Sequence, residues 1–201
     1  MSDSNEQKIV RFLFEMGTMR KLPRMHRQTL LTDDMSDNIA THSYRATLIG
    51  WFLAKMEKAD PYKVVMMCLT HDMGEVRTGD HNWIHKKYVK IFDEEIKAEQ
   101  LGTLPFGDLK EIADEYDKRE SVEAIIAKEA DLIDQLFLLR EYVWQGNKEA
   151  LIWLEGKPGE GGEKDKYLER FKTKSGKALA KIALSEDPSS WWDNLWTNKN
   201  R

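Results

Sequence analysis

Cys68-Leu69-Thr70-His71-Asp72-Met73-Gly74-Glu75 follows the apolar run Val64-Val65-Met66-Met67. The whole stretch reads as a buried helix ending near Gly74, which sets His71-Asp72 at a rigid helical end beside a turn. An imidazole nitrogen and a carboxylate oxygen at adjacent positions can share a divalent cation of intermediate hardness. A His-Asp pair on its own fits an ordinary helix end equally well. Further ligands have to come from elsewhere in the chain.

Working outward, Asp60-Pro61 starts this helix, with an N-cap followed by proline at the first helical position. Before it, Ser36 or Asp37 caps a long helix reaching about Lys58, with Ile39, Ala46, Ile49 and Leu53 on its apolar side. His42 lies near the start of that helix, and Arg45 follows one turn on. Gln7 to Met19 forms a shorter amphipathic helix, and the basic segment Arg20 to Arg27 around Pro23 reads as a solvated loop.

After the HD pair come a turn at Thr78-Gly79-Asp80, one amphipathic helix from Trp83 to Gln100, and a charged helix from Leu109 to Arg119. Ser121 then caps a helix running to about Trp144, and Asp131 sits within its broad apolar face. A carboxylate there is costly unless an arginine or a cation compensates it. Asp134 shares roughly the same face and could support a ligand or mark the helix edge. Beyond Gly146 the pattern gives a helix over Asn147 to Leu154, a Gly-rich loop from Glu155 to Glu163, and two short helical patterns. Trp191, Trp192 and Trp196 suit packing or a subunit contact.

No strand reads anywhere, so the expected class is all-α. The expected organisation is one domain over residues 1–201, with the motifs in 8–145 and a C-terminal helical extension over 146–201. Charged residues make up 33% of the chain and hydrophobic ones 41%, a soluble globular balance, and a net charge of −4 gives no support to nucleic-acid binding. The one cysteine, Cys68, excludes a disulfide framework and a cysteine-based zinc site; within its apolar run it reads as a small buried hydrophobe. No apolar stretch approaches the roughly 18 residues of a membrane span, and the polar start Met1-Ser2-Asp3-Ser4-Asn5-Glu6 is unlike a signal peptide. A cytoplasmic location without a membrane partner is expected.

Taken together, His42, His71-Asp72 and Asp131 form an H…HD…D arrangement separated by 29 and then 59 residues. The arrangement resembles the HD-domain metal-dependent phosphohydrolases, which are all-α bundles. Ser36 to Arg45 is similar to the family's first-His helix, and Lys128-Glu129-Ala130-Asp131 to its Lys-x-x-Asp helix. His71-Asp72-Met73-Gly74-Glu75-Val76-Arg77-Thr78-Gly79-Asp80 resembles the HD-x-x-E-x-x-x-G-D signature of the small 5′-deoxynucleotidase branch.

The resemblance implies one divalent ion (Mn, Co, Fe, Zn or Mg) held by His42, His71, Asp72 and Asp131. It implies Glu75 and Asp72 as catalytic residues, Arg24 or Arg27 on the phosphate, and Asp80 on the nucleotide sugar. The implied reaction removes phosphate from small-molecule nucleotides, foremost (deoxy)nucleoside 5′-monophosphates, in a homodimeric enzyme. A dNTP triphosphohydrolase or pyrophosphohydrolase, or a non-catalytic metal-binding module, are the alternatives. Relatives place a Trp close behind the Arg, where it crowds the ribose 2′-position. Pro23-Arg24-Met25-His26-Arg27-Gln28 holds none, so weaker deoxyribose discrimination is expected, with Trp83 the other candidate for that wall.

Overall fold

The computed structural model describes residues 3–157, 164–195, 197 and 199, of which 164–166 are described by backbone alone. Trp196 and most of the expected Gly-rich loop lie outside the described residues. Helix α1 spans Asn5–Met16, α2 is a single turn at His26–Thr29, and α3 spans Ile39–Glu57. Helices α4 (Pro61–Thr70), α5 (Glu75–Thr78), α6 (Trp83–Tyr88), α7 (Asp93–Leu101) and α8 (Asp108–Lys118) follow. The long α9 (Val122–Trp144) is then followed by α10 (Lys148–Glu155), α11 (Lys164–Glu169) and α12 (Lys174–Ser185). Among the described residues the only extended pairing is an isolated bridge between Pro23 and Asn38, so the class is all-α.

Local chemistry sets the helix starts. Asn38 and Thr41 cap α3 reciprocally: Thr41 N–H donates to Asn38 Oδ1 and Asn38 N–H to Thr41 Oγ1, each at 3.1 Å. The Asp60 carboxylate accepts from Tyr62 N–H at 2.9 Å and Lys63 N–H at 3.3 Å, with Pro61 opening α4. Ser121 Oγ accepts from Ala124 N–H at 3.2 Å to start α9.

Helix α9 is the central post, packed by α3, α4, α8, α10 and α12. Its 23 residues run about 34 Å at 1.5 Å per residue. Ile126, Ile133, Leu136 and Leu139 meet Leu53 of α3 and Val64 and Met67 of α4 in one continuous core. Residues of the expected C-terminal extension, Ala150, Leu154, Phe171 and Ala180, join the same core. No described helix is long and apolar enough to cross a membrane.

Several boundaries differ from the sequence reading: α3 is capped by Asn38 rather than by Ser36 or Asp37, and two other differences shape the site. The helix expected to continue to Gly74 stops at Thr70, because the His71 ring turns back and its Nδ1–H donates to the Cys68 carbonyl at 2.8 Å. That carbonyl is one of the acceptors a helix end leaves open. The single helix expected over Trp83 to Gln100 is two. Val89 is extended (φ −114°, ψ 129°), and a new helix begins at the acidic Asp93-Glu94-Glu95. β-Branched Val89 and Ile91 carry the break.

Gly50 lets α3 and α4 approach closely. A Cβ there would lie 2.8 Å from Cys68 Sγ and 2.9 Å from Val64 Cγ1. Alanine gains up to about 1 kcal/mol over glycine within a helix, but overpacking a buried contact costs about 1–3 kcal/mol. Gly50→Ala is therefore expected to lower the thermal midpoint, and a raised midpoint in calorimetry would contradict this packing.

Candidate metal centre

Three helix ends and faces bring the site together. His42 stands on the first turn of α3, His71 is the C-cap of α4 with Asp72 next in the chain, and Asp131 faces inward from the middle of α9. His42 Nε2 lies 3.1 Å from His71 Nε2 and 3.4 Å from both Asp72 Oδ2 and Asp131 Oδ1. His71 Nε2 is 3.2 Å from Asp72 Oδ2 and 3.9 Å from Asp131 Oδ1. His42, His71 and Asp72 thus bring ligand atoms within 4.8 Å of one another, and Asp131 Oδ1 approaches the two histidines from α9.

Hydrogen bonding decides which nitrogens face that point. A carbonyl only accepts, so the bond to Cys68 puts a proton on His71 Nδ1 and turns Nε2 toward that point. His42 Nδ1 lies 2.5 Å from Asp134 Oδ2 and donates to that carboxylate. Two Nε2 atoms and two carboxylate oxygens thus crowd together, an arrangement that needs a cation or a proton among them. In the absence of metal a proton serves. Burial and the Arg24 charge press His42 toward its neutral form, but hydrogen bonds to Asp131, Asp134 and Asp72 outweigh them and hold its pKa well above the usual value.

Burial likewise opposes ionisation of Asp72 and Asp131. The His71 charge and the His42 hydrogen bond keep Asp72 well below the usual carboxylate range; the His42 bond and the Lys128 charge do so for Asp131. Two imidazole nitrogens and two carboxylate oxygens are a donor set for a divalent transition ion, so the residues present fit one.

A cleft of about 530 Å³ opens over this point, lined among others by Arg24, His26, Glu75, Asp80, Trp83 and Trp153. Arg24 is 7% exposed, and its Nε and Nη1 have no hydrogen-bond partner. Although burial opposes its charge, the nearby Asp72, Asp131 and Asp80 carboxylates raise its pKa, so it is always cationic. Glu75 Oε2 is also buried without a partner. Burial first, then the Asp72 and Asp80 charges, push its pKa up to about 9.

The loop carrying Arg24 hangs on the segment after α5. Gly79, at φ 77°, turns the chain there. Asp80 Oδ2 then accepts from Met25 N–H at 2.5 Å, and Asn82 Nδ2 donates to the Met25 carbonyl and to Gln28 Oε1, both at 2.9 Å. Asp80, expected on the sugar, is thus tied to the Arg24 loop as well as facing the cleft.

Arg27 is placed differently from the sequence expectation. Its guanidinium bonds Met35 Sδ and lies 3.6 Å from Asp33, on another face, because the single turn of α2 rotates it away from Arg24. One participant, Tyr116, escaped the sequence reading, and His26 was read there only as part of the segment after Arg24. Tyr116 packs edge-on to His71 with ring centroids 5.6 Å apart, and His26 packs edge-on to Trp153 at 5.4 Å. Tyr116 lies more than a helical turn from any motif residue, so no local signal marked it.

Metal and proton compete for the same His42 lone pair, so binding should release a proton and tighten as pH rises through the elevated His42 pKa. Calorimetric titration of Mn²⁺ in buffers of differing ionisation enthalpy measures the release. Affinity unchanged between pH 6 and pH 9 would contradict it.

A model of the HD domain matches residues 19–166. The chain is 29% identical over 122 residues to the 5′-deoxynucleotidase HDDC2 of Dictyostelium discoideum, covering 54% of this chain and 64% of that protein. It is 25% identical over 150 residues to the human 5′-deoxynucleotidase HDDC2, covering 70% and 71%. Among solved structures, the PH0347 protein of Pyrococcus horikoshii OT3 superposes with a TM-score of 0.69 at 22% identity, over 87% of this chain and 98% of that one. A predicted metal-dependent phosphohydrolase from Magnetospirillum magnetotacticum MS-1 gives 0.67 at 24%, over 90% and 94%. With the HD-domain model spanning most of its length, this chain belongs to the HD-domain family.

Proposed function

We propose that this protein is a metal-dependent phosphohydrolase that removes phosphate from nucleotides, with (deoxy)nucleoside 5′-monophosphates as its substrates. One observation supports the reading: His42, His71 and Asp72 bring ligand atoms within 4.8 Å of one another, with Asp131 Oδ1 3.4 Å from His42 Nε2, beside the cleft into which Arg24 and Glu75 bring polar atoms without hydrogen-bond partners. The names of the HDDC2 relatives support the nucleotide as substrate.

When bound, a divalent cation supplies Lewis acidity, polarising a phosphoryl oxygen and bringing the pKa of water toward neutrality. The chain's own residues do the rest. Arg24 offers Nε–H and Nη1–H to the equatorial phosphate oxygens; both donors are already oriented and desolvated, so little reorganisation is needed as charge builds. Glu75 holds a proton at neutral pH in the metal-free site and can give it to the departing 5′-oxygen. Ionised, the same carboxylate can take a proton from the attacking water. Asp80 and Asn82 act on the reaction through the Arg24 loop they fasten.

The reading is tested by assaying phosphate release from ribo- and deoxynucleoside mono- and triphosphates with the metal-loaded protein. Orthophosphate from a monophosphate is expected; an untouched panel despite bound metal would overturn it. Glu75→Ala is expected to cut turnover by roughly 10²–10⁴-fold while metal content persists. Arg24→Lys should lose about 10²-fold, since an ammonium cannot reproduce the planar fork, whereas Arg27→Ala should stay within about threefold. Equal losses at the two arginines would place the phosphate elsewhere.

Sugar selectivity forms a separate expectation. Met25, His26 and Gln28 follow Arg24 where relatives carry an indole; of the three only His26 lines the cleft, and Trp83 is largely exposed at its rim. A hydrophobic wall rejects an added hydroxyl by only about 10²-fold even when well filled. Matched kcat/KM values for dAMP and AMP should differ by less than that. A larger preference for dAMP would identify a wall built by other side chains.

A further inference from the structure

Beside the cleft lies a recess of about 220 Å³, lined by Arg119, Ile125, Lys128, Glu129, Leu132, Arg170 and Lys172. Four of these seven side chains are cationic in a chain whose net charge is −4. The one carboxylate, Glu129, is already occupied: it accepts from Lys172 N–H at 2.5 Å, Thr173 N–H at 2.8 Å and Thr173 Oγ1–H at 2.5 Å. Among the described residues no carboxylate pairs with Arg119, Arg170 or Lys172.

The recess is continuous with the metal centre. Lys128 Nζ lies 2.6 Å from Asp131 Oδ2, so the ammonium stands directly beside a ligand carboxylate. Arg119 lies with its guanidinium carbon 3.3 Å from the Tyr116 ring centroid, and Tyr116 packs on His71. Arg119 Nη1 is buried without a partner, so this desolvated donor has no protein acceptor. Arg119 also adopts a left-handed backbone, φ 56°, as the C-cap of α8. Glycine occupies such positions without strain; an arginine there accepts about 1 kcal/mol or more of strain. Arg170 lies over the Tyr167 ring at 5.0 Å, where recess and cleft meet.

Arg24 therefore serves one side of the metal centre, while Lys128 and Arg119 flank the other and lead toward Arg170 and Lys172. We infer that the recess is a second phosphate subsite, which receives a phosphate group of the nucleotide other than the one held at the metal centre. The inference rests on the nucleotide reading above and extends it to two-phosphate ligands. The second phosphate can be the β-phosphate of a nucleoside diphosphate or the 3′-phosphate of a nucleoside 3′,5′-bisphosphate; both present a dianion-like group to planar guanidinium donors.

The test is calorimetric binding to the metal-loaded full chain, using AMP, ADP and adenosine 3′,5′-bisphosphate, alongside phosphate release from dAMP. At least one two-phosphate ligand is expected to bind about tenfold tighter than AMP, with the advantage shrinking as salt rises. Which of the two gains identifies the source of the second phosphate. Lys172→Glu, which changes an exposed side chain lining only the recess, should abolish most of that advantage while leaving AMP affinity and dAMP turnover within about threefold. Equal affinities for all three ligands, or a Lys172→Glu loss shared equally by AMP, would overturn the subsite while the nucleotidase reading stood. Failure to hydrolyse any monophosphate, with the binding difference intact, would overturn the proposed reaction and support the subsite.

Discussion

The Asp134 carboxylate is the contact on which the site depends. One oxygen takes the Nδ1–H of His42 at 2.5 Å, and the other takes Arg45 Nε–H at 2.5 Å. Arg45 also reaches the Asp134 carbonyl at 3.3 Å and Glu141 at 2.5 Å, so it spans about two turns of α9. The imidazole is thereby fixed in one tautomer with Nε2 toward the cleft, and α3 is pinned to α9 at the level of Asp131. A buried ion pair seldom adds net stability, because desolvation consumes most of the Coulomb energy. Its value here is orientation, as partners behind metal-ligating histidines commonly provide.

Around that contact the charges fall into a definite balance. Asp72, Asp131, Asp134 and the half-buried Glu75 set four carboxylates around the site, and a buried unpaired carboxylate costs several kcal/mol. Arg24, Arg45, Lys128 and a protonated His42 offset most of it. Glu75 is the residue left over, and it meets the excess negative charge by keeping its proton. Metal binding, ligand protonation and the Glu75 proton are consequently linked. The electrostatics that assemble the ligand set also prepare a proton donor beside it.

The C-terminal segment contributes to this arrangement through packing. Glu129, buried one turn before Ile133, collects the backbone N–H groups of Lys172 and Thr173 at the entrance to α12. Phe171 is fully buried next to it, and the Tyr167 hydroxyl donates within the Leu132 and Gln135 region of α9. This docking carries Arg170 and Lys172 to the neighbourhood of Lys128, more than forty positions away in sequence.

The sequence by itself determined the all-α class, the caps at Asp60 and Ser121, the central apolar helix around Asp131 and the three donors His42, His71 and Asp72 that come together. These rest on periodicity, capping chemistry and the cost of burying a carboxylate, which act within a few residues and can be read locally. The break between α6 and α7 was hidden because charged and apolar residues keep a helical rhythm across Val89 to Phe92. The stop of α4 at Thr70 was hidden because a side chain, the His71 imidazole, takes over a backbone acceptor. Only the tertiary structure decided that Arg24 rather than Arg27 enters the cleft, since a single turn of helix hung on Asp80 and Asn82 sets their directions. It alone also decided which nitrogen of His42 faces the donors and which cations gather beyond Lys128. Those outcomes depend on contacts between residues 55 to 109 positions apart, such as Met25 with Asp80 and His26 with Gln135, and no local pattern encodes them.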